Sequence, residues 1–316
     1  MRNWQIVAIV VGAIIIGIGA GYYLSNSGSR KDASNNGCRK SCPVEERQYC
    51  PSDKCETSNV LENEKSMKVD RINRLYTRGP SKLPFVETIT YTHHVPWLRG
   101  RSALMSDYAR HYRTSAQFIS RSITNGEKEL SYPKLSQGDS FNVIRADKNI
   151  EFYLVVDLSR HYMHMYAYDV DLGERYLLKT YTVGVGALDP NAASGCETPC
   201  GKFTLSNRVG IYKPGVVSNV GGRVMELIQV YGTRYIPFDD KYNGIGIQGN
   251  PWVVDSNTGE LYEMKNFVGQ YATEGNIRMH TEDVEQLFSI VTSRKTTVEI
   301  VKKFNDAQLP GYEVDL

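Results

Sequence analysis

The sequence predicts a mainly β domain in the C-terminal half of the chain, preceded by a small helical, α+β region. Three observations carry this reading. Residues 151–158 (EFYLVVDL) and 161–168 (HYMHMYAY) are rich in aromatic and β-branched side chains and flank the short break Ser159-Arg160, the pattern of a hairpin. Residues 179–186 (KTYTVGVG) and 198–205 (TPCGKFTL) repeat that bias and carry Gly or Pro punctuation. Near the end, 282–293 reads as a helix and 297–301 as one more strand.

The elements ahead of the β half follow from periodicity and composition. Residues 4–24 carry no charged side chain and would span roughly 30 Å as a helix, enough to cross a bilayer. Trp4 and the pair Tyr22-Tyr23 suit the two interfaces. A cleaved signal peptide is the rival, with Gly19 and Gly21 as small residues near a cleavage point. Ala13, Gly17 and Gly21 form a small-residue stripe of the kind that packs against another helix. Residues 25–60 are rich in Ser, Asn, Gly, charge and Cys, a spacer rather than a packed unit. Within 61–148, the apolar positions Leu104, Met105, Tyr108, Tyr112, Ala116, Ile119 and Ile123 predict one amphipathic helix over 102–123, with Ser102 as its cap and Gly126 as its stop. Residues 135–144 read as a turn and strand leading into the main sheet, which occupies 149–303 and leaves 304–316 as a polar tail.

Charge and cysteine usage bound the setting. A net charge of +2 without a basic block argues against nucleic acid as a partner. Arg2 stands alone before the apolar span while Arg30, Lys31, Arg39 and Lys40 follow it, a count that favours a cytoplasmic C-terminal side. The cysteines argue the reverse: Cys38, Cys42, Cys50, Cys55, Cys196 and Cys200 are even in number and follow a membrane-entry signal, which reads as up to three disulfides in an oxidising space. On that basis the expectation is a single-pass membrane protein with residues 25–316 outside, in the periplasm or extracellular. Zinc in the first cluster is the alternative, but its spacing lacks paired CxxC knuckles, so no metal and no cofactor is expected.

Two short strings near the end carry chemistry. Ile247-Gln248-Gly249 precedes Thr273-Glu274-Gly275-Asn276-Ile277-Arg278-Met279. The layout resembles the L,D-transpeptidase (YkuD) family, whose matching stretches read I-H-G and S-H-G-C-I/V-R-M. The hairpin at 151–168, the T-V-G run and the T-P-x-G-x-F segment at 198–203 follow the family's order, and nothing before about residue 150 takes part. The resemblance implies a β-sandwich. It puts Gln248 in the place of the histidine base, Thr273 in that of the serine, Glu274 in that of the second histidine and Asn276 in that of the nucleophilic cysteine, while Gly275, Ile277, Arg278 and Met279 match.

Those replacements remove the family's chemistry. A thiolate attacks because sulfur ionises near neutral pH beside an imidazole that takes its proton. Neither carboxamide titrates there, so Asn276 is no nucleophile and Gln248 no base. The expectation is a degenerate member with no catalytic residue that binds peptidoglycan stem peptides, or a cell-wall protein, through Gly275, Arg278, Gln248 and Asn276. Arg278 offers a planar fork suited to a carbonyl or carboxylate; its bland role is an ion pair with Glu274 or Glu282. Two rivals stand: an acyl transferase using Cys200 or an unrecognised base, and a structural scaffold. A Cys196–Cys200 disulfide is the expected structural use of that pair. His161 and His164, three apart on one strand, are expected on opposite faces, and His280 as a solvated residue at a helix start. The interval from Gln248 to Asn276 exceeds the family's, and its surplus is expected in the polar cluster 255–260 as a hairpin or lid.

Overall fold

The computed structural model describes residues 68–129, 135–239 and 244–316. The apolar span at 4–24 and the cluster Cys38, Cys42, Cys50 and Cys55 lie outside the described residues, among which no helix is long and apolar enough to cross a membrane.

The described chain opens with a helical turn at Ile72–Leu75, then strand β1 (Val86–Thr90), helices α1 (Met105–His111) and α2 (Ala116–Ile123), and β2 (Ser140–Ile144), antiparallel to β1. The periodicity predicts one helix over 102–123; the structure breaks it at residues 112–115. Arg113 turns to a φ of 47°, and the Thr114 N–H returns to the Ala109 carbonyl at 2.9 Å. Ser115 then caps α2, its Oγ accepting from the Phe118 N–H at 2.9 Å. Neighbouring Thr and Ser side chains favour such ends over helix interiors. Ser102 does not cap α1; the Asp107 carboxylate does, accepting from the Leu104 N–H at 2.8 Å. Gly126 stops α2 as expected, at a φ of 93° with its N–H on the Arg121 carbonyl, where an added Cβ would strike Asn73 and Tyr76.

The main domain is mostly strand. β3 (Ile150–Asp157), β4 (Tyr162–Asp169) and β5 (Glu174–Thr182) form an antiparallel meander, followed by β6 (Val185–Gly186), β7 (Gly201–Thr204), β8 (Gly210–Ile211), β9 (Val217–Val220) and β10 (Arg223–Glu226). Helix α3 (Leu227–Tyr231) leads to β11 (Arg234–Pro237), β12 (Gly246–Gly249), β13 (Trp252–Val254), β14 (Leu261–Glu263), β15 (Tyr271–Thr273) and β16 (Ile277–Met279). Helix α4 (Thr281–Val291), β17 (Thr296–Val301) and β18 (Tyr312–Glu313) complete it. A six-stranded sheet has the order β18-β5-β4-β3-β17-β7, and a four-stranded sheet the order β16-β12-β11-β8.

Both sheets feed one core. Phe152, Leu154 and Val156 from the large sheet and Ile236, Ile247 and Ile277 from the small one belong to a single buried cluster, together with Val284, Leu287 and Phe288 of α4. Ile72, Leu75, Tyr76, Phe85 and Phe118 join the same cluster, so the N-terminal region packs as part of this core. The Tyr76 hydroxyl is 3.0 Å from Ser289 Oγ on α4, and burial pushes its pKa up to about 12.

Residues 304–316, read from sequence as a polar tail, cover the outer face of the large sheet. Phe304, Ala307 and Leu309 pack on Tyr153, Val155, Tyr166 and Val301, and β18 pairs with β5. This is why β3 is buried nearly along its whole length, with no clean alternation of exposed residues. The β3–β4 connection differs as well: residues 158–161 form the turn, with His161 at a φ of 58°, so His161 is not on the strand. The Asp157 carboxylate holds that turn, accepting from the Ser159 N–H at 2.9 Å and from the Phe304 N–H at 3.0 Å.

His164 remains on β4 and is buried, with Nδ1 3.1 Å from Thr180 Oγ1 and its ring against Phe304. Burial, opposed by Asp157 and aided by Arg160, lowers its pKa from 6.5 to about 4. The folded state therefore takes up this proton later than the unfolded chain as pH falls. Stability from this residue is complete above about pH 6.5 and is lost as pH drops towards 4, by about 2–3 kcal/mol. Urea unfolding between pH 7 and pH 4 should show that loss, and His164→Phe should remove it.

Candidate functional site

The site is assembled by a parallel ladder. β12 pairs with β16 so that Ile247 faces Ile277, Gln248 faces Arg278 and Gly249 faces Met279. Ile247, Ile277 and Met279 turn into the core, which sends Gln248 and Arg278 to the opposite face of the sheet. Tyr235 on β11 is the register partner of Gln248 on its other side, so Tyr235, Gln248 and Arg278 form one row across three strands. The two strings singled out in the sequence are thus neighbours in space.

The loop before β16 is held by backbone acceptors. Thr273 Oγ1 donates to the Asn276 carbonyl at 2.6 Å, and buried Thr198 Oγ1 donates to the Gly275 carbonyl at 2.9 Å while accepting from the Gly186 N–H at 2.7 Å. Gly275 has a φ of 99°, and a Cβ there would lie 3.2 Å from the Glu197 carbonyl oxygen. Asn276 Oδ1 accepts from the Gly246 N–H at 2.8 Å, so its carboxamide serves as an extra rung between the loop and the start of β12. Glu274 is exposed.

Gln248 is 3% exposed. Its Nε2 donates to the Val230 carbonyl of α3 at 3.4 Å, which fixes the amide's orientation and leaves Oε1 buried without a partner among the described residues. The Arg278 guanidinium lies 5.0 Å from the Phe267 ring centroid, its Nε also unpartnered among the described residues. Burial lowers the Arg278 pKa, against the pull of Glu274. No ion pair between Arg278 and Glu274 or Glu282 forms within 4.0 Å among the described residues. The row thus sets a buried, unpartnered Gln248 acceptor in strand register with Arg278.

The remaining sequence candidates are sorted by burial. Cys196 and Cys200 are free thiols, so the expected bridge is not formed: Cys196 is buried with Sγ 3.5 Å from the Thr198 carbonyl, and Cys200 faces outward. Burial and nearby Cys196 push the Cys200 thiol up, the opposite of what a reactive thiolate needs. His161 packs edge-on against Tyr271 with ring centroids 4.4 Å apart. His280 occupies the N-cap of α4 without capping it; its Nδ1 is 3.2 Å from Asn250 Nδ2 and 3.8 Å from Glu263.

The cap of α4 comes instead from the surplus segment. Residues 252–263 form the hairpin β13–β14 around the polar turn 255–260, where the sequence placed it. Glu263 Oε1 accepts from the Thr281 N–H and from Asn250 Nδ2, both at 2.9 Å, tying hairpin, β12 extension and helix together. Thr198, Phe267, Asn250 and Glu263 escaped the sequence reading because each acts through a contact distant along the chain. Thr198 had a signal, as the Thr of the T-P segment.

The fold and this row define a mainly β domain of L,D-transpeptidase type. Residues 151–300 match the YkuD family, described as the L,D-transpeptidase catalytic domain. Among solved structures, the chain is similar to the helical cell shape determining protein Pgp2 of Campylobacter jejuni, with 17% identity, 52% of this chain and 51% of that one covered, and a TM-score of 0.32. It is also similar to Bd1075 of Bdellovibrio bacteriovorus, with 10% identity, 48% of each chain covered and a TM-score of 0.34. The chain spans about half the length of the solved structures it matches. No curated protein matches it.

Two substitutions test the loop's construction. Asn276→Ala removes the acceptor for the Gly246 N–H and should cost about 1–2 kcal/mol in urea unfolding. Gly275→Ala forces a side chain into the left-handed region against the Glu197 carbonyl and should cost roughly 1–3 kcal/mol. If either unfolds at the parent's midpoint, the loop is not held as described.

Proposed function

We propose that the protein is a membrane-anchored, exported pseudoenzyme that binds peptidoglycan stem peptides through its L,D-transpeptidase-like domain and does not transfer acyl groups. The observation that carries the reading is the Asn276 carboxamide bound to the Gly246 N–H at the place of the family's nucleophile. A side chain spent on a backbone rung has neither the electron pair nor the freedom to attack a carbonyl. Gln248 offers no basic nitrogen, and the Arg278 guanidinium, free of an ion pair with Glu274 or Glu282 among the described residues, supports recognition of a peptide's carbonyl or carboxylate groups. The apolar run at 4–24 supports the anchor.

Incubation with tetrapeptide muropeptides or a carbapenem, followed by intact-protein mass measurement, should leave the mass unchanged. Binding should be measurable by calorimetry, and Arg278→Ala should weaken it roughly 10- to 100-fold through loss of charge-assisted hydrogen bonds. A covalent adduct on Cys200 or Cys196 would establish the acyl-transferase alternative, and absence of binding would leave the scaffold.

A further inference from the structure

No histidine stands at 248 or 274, yet an imidazole shares the face that carries Arg278. β12 and β16 run parallel with Gln248 opposite Arg278, and side chains two residues apart on an extended chain point the same way. The next rung on that face, just past the ends of both strands, pairs Asn250 with His280. The contact is made, with Asn250 Nδ2 3.2 Å from His280 Nδ1. Met279, between Arg278 and His280, is buried in the core.

The hydrogen bonds of Asn250 decide which nitrogen of His280 carries the proton. Asn250 is fully buried. Glu263 Oε1, which also accepts from the Thr281 N–H, lies 2.9 Å from Asn250 Nδ2, and a carboxylate oxygen is matched only by the NH2 end of the amide. The other N–H of that group is left for His280 Nδ1, which meets it with its lone pair. A neutral imidazole has one N–H, so here it is on Nε2. Glu263 does not compete for Nδ1, because 3.8 Å is beyond hydrogen-bond reach. The His280 side chain is 39% exposed, and its Nε2 makes no hydrogen bond among the described residues.

Arg278 and His280 thus present donors from one face of one strand, two residues apart, a step of roughly 6.5–7 Å. An extended peptide repeats its carbonyl groups along one side at the same interval, whereas a single carboxylate is too small to reach both. We propose that His280 is a second recognition residue, whose Nε2–H donates to a carbonyl or terminal carboxylate oxygen two residues along the ligand from the one Arg278 holds. This rests on the stem-peptide reading and adds a length requirement, since an extended ligand must carry at least three residues to meet both donors. Asn250 acts through His280 as a positioning residue, and Glu263 holds the Asn250 amide in place.

The first measurement needs no ligand. Nitrogen NMR of the imidazoles in the full chain in detergent, under alkaline conditions that leave histidines neutral, should show His280 with a bare Nδ1 and a protonated Nε2. His280→Gln identifies the signal, and Asn250→Ala should turn it into a mixture of the two forms. A proton on Nδ1 in the parent overturns the proposal. The second measurement is calorimetry with a tetrapeptide muropeptide. His280→Ala should weaken binding roughly 5- to 10-fold, and His280→Gln, whose amide donates from nearly the same place, should retain most of the affinity. With the peptide cut to two residues, the parent and His280→Ala should bind alike. Binding that Arg278→Ala weakens and His280→Ala leaves unchanged overturns the second contact and leaves the stem-peptide reading standing. So does an equal loss in His280→Gln and His280→Ala, or an effect that persists undiminished on the two-residue ligand. No binding by the parent removes both readings.

Discussion

The parallel pairing of β12 with β16 is the constraint on which the site depends. Two segments nearly thirty residues apart along the chain are brought together by backbone hydrogen bonds, with Gln248 opposite Arg278. This pairing needs an apolar row facing the core, which Ile236, Ile247 and Ile277 supply, and a glycine where the loop turns back, which Gly275 supplies. It does not need a cysteine or a histidine. Backbone geometry and core packing can therefore persist while the reactive groups are replaced, and Asn276 adds to them, since its carboxamide extends the ladder by one rung.

Much of this was legible in the sequence, for reasons that differ by element. The β3–β4 hairpin and β17 announce themselves through local composition, and α4 through helical spacing, because each is decided by neighbours in the chain. The site strings could be placed together because Gly275, Ile277, Arg278 and Met279 retain a pattern even though Gln248 and Asn276 break it. The misread helix at 102–123 shows the limit: its apolar spacing continues through 112–115, but Arg113 in the left-handed region and the Ser115 cap turn the chain. The C-terminal segment was misread because its value lies in Phe304 and Leu309 meeting a sheet face whose exposure cannot be judged from β3 alone. Cys196 and Cys200 illustrate the same difficulty, since close spacing does not reveal that one thiol faces the core and the other the solvent.

Gln248 and Asn276 carry amides, groups that do not titrate near neutral pH. An imidazole beside a thiol must trade protons, so its partners change with pH and with the reaction stage. The Gln248 amide is held in one orientation by the Val230 carbonyl, and the acceptor it leaves unpaired is permanent. A buried acceptor without a partner is costly, and a ligand N–H placed against it recovers that cost. Arg278 stands in register beside it, its guanidinium over the Phe267 ring.

The hairpins on either side of this row differ in how they are anchored. β13–β14 is pinned by Glu263, whose carboxylate serves both Asn250 and the first N–H of α4, so it belongs to the rigid framework. β9–β10 is joined to the domain through its own ends and α3, with apolar side chains left in contact with water. Apolar exposure on a ribbon that lacks sheet neighbours lowers stability in water and is offset only where something apolar receives it.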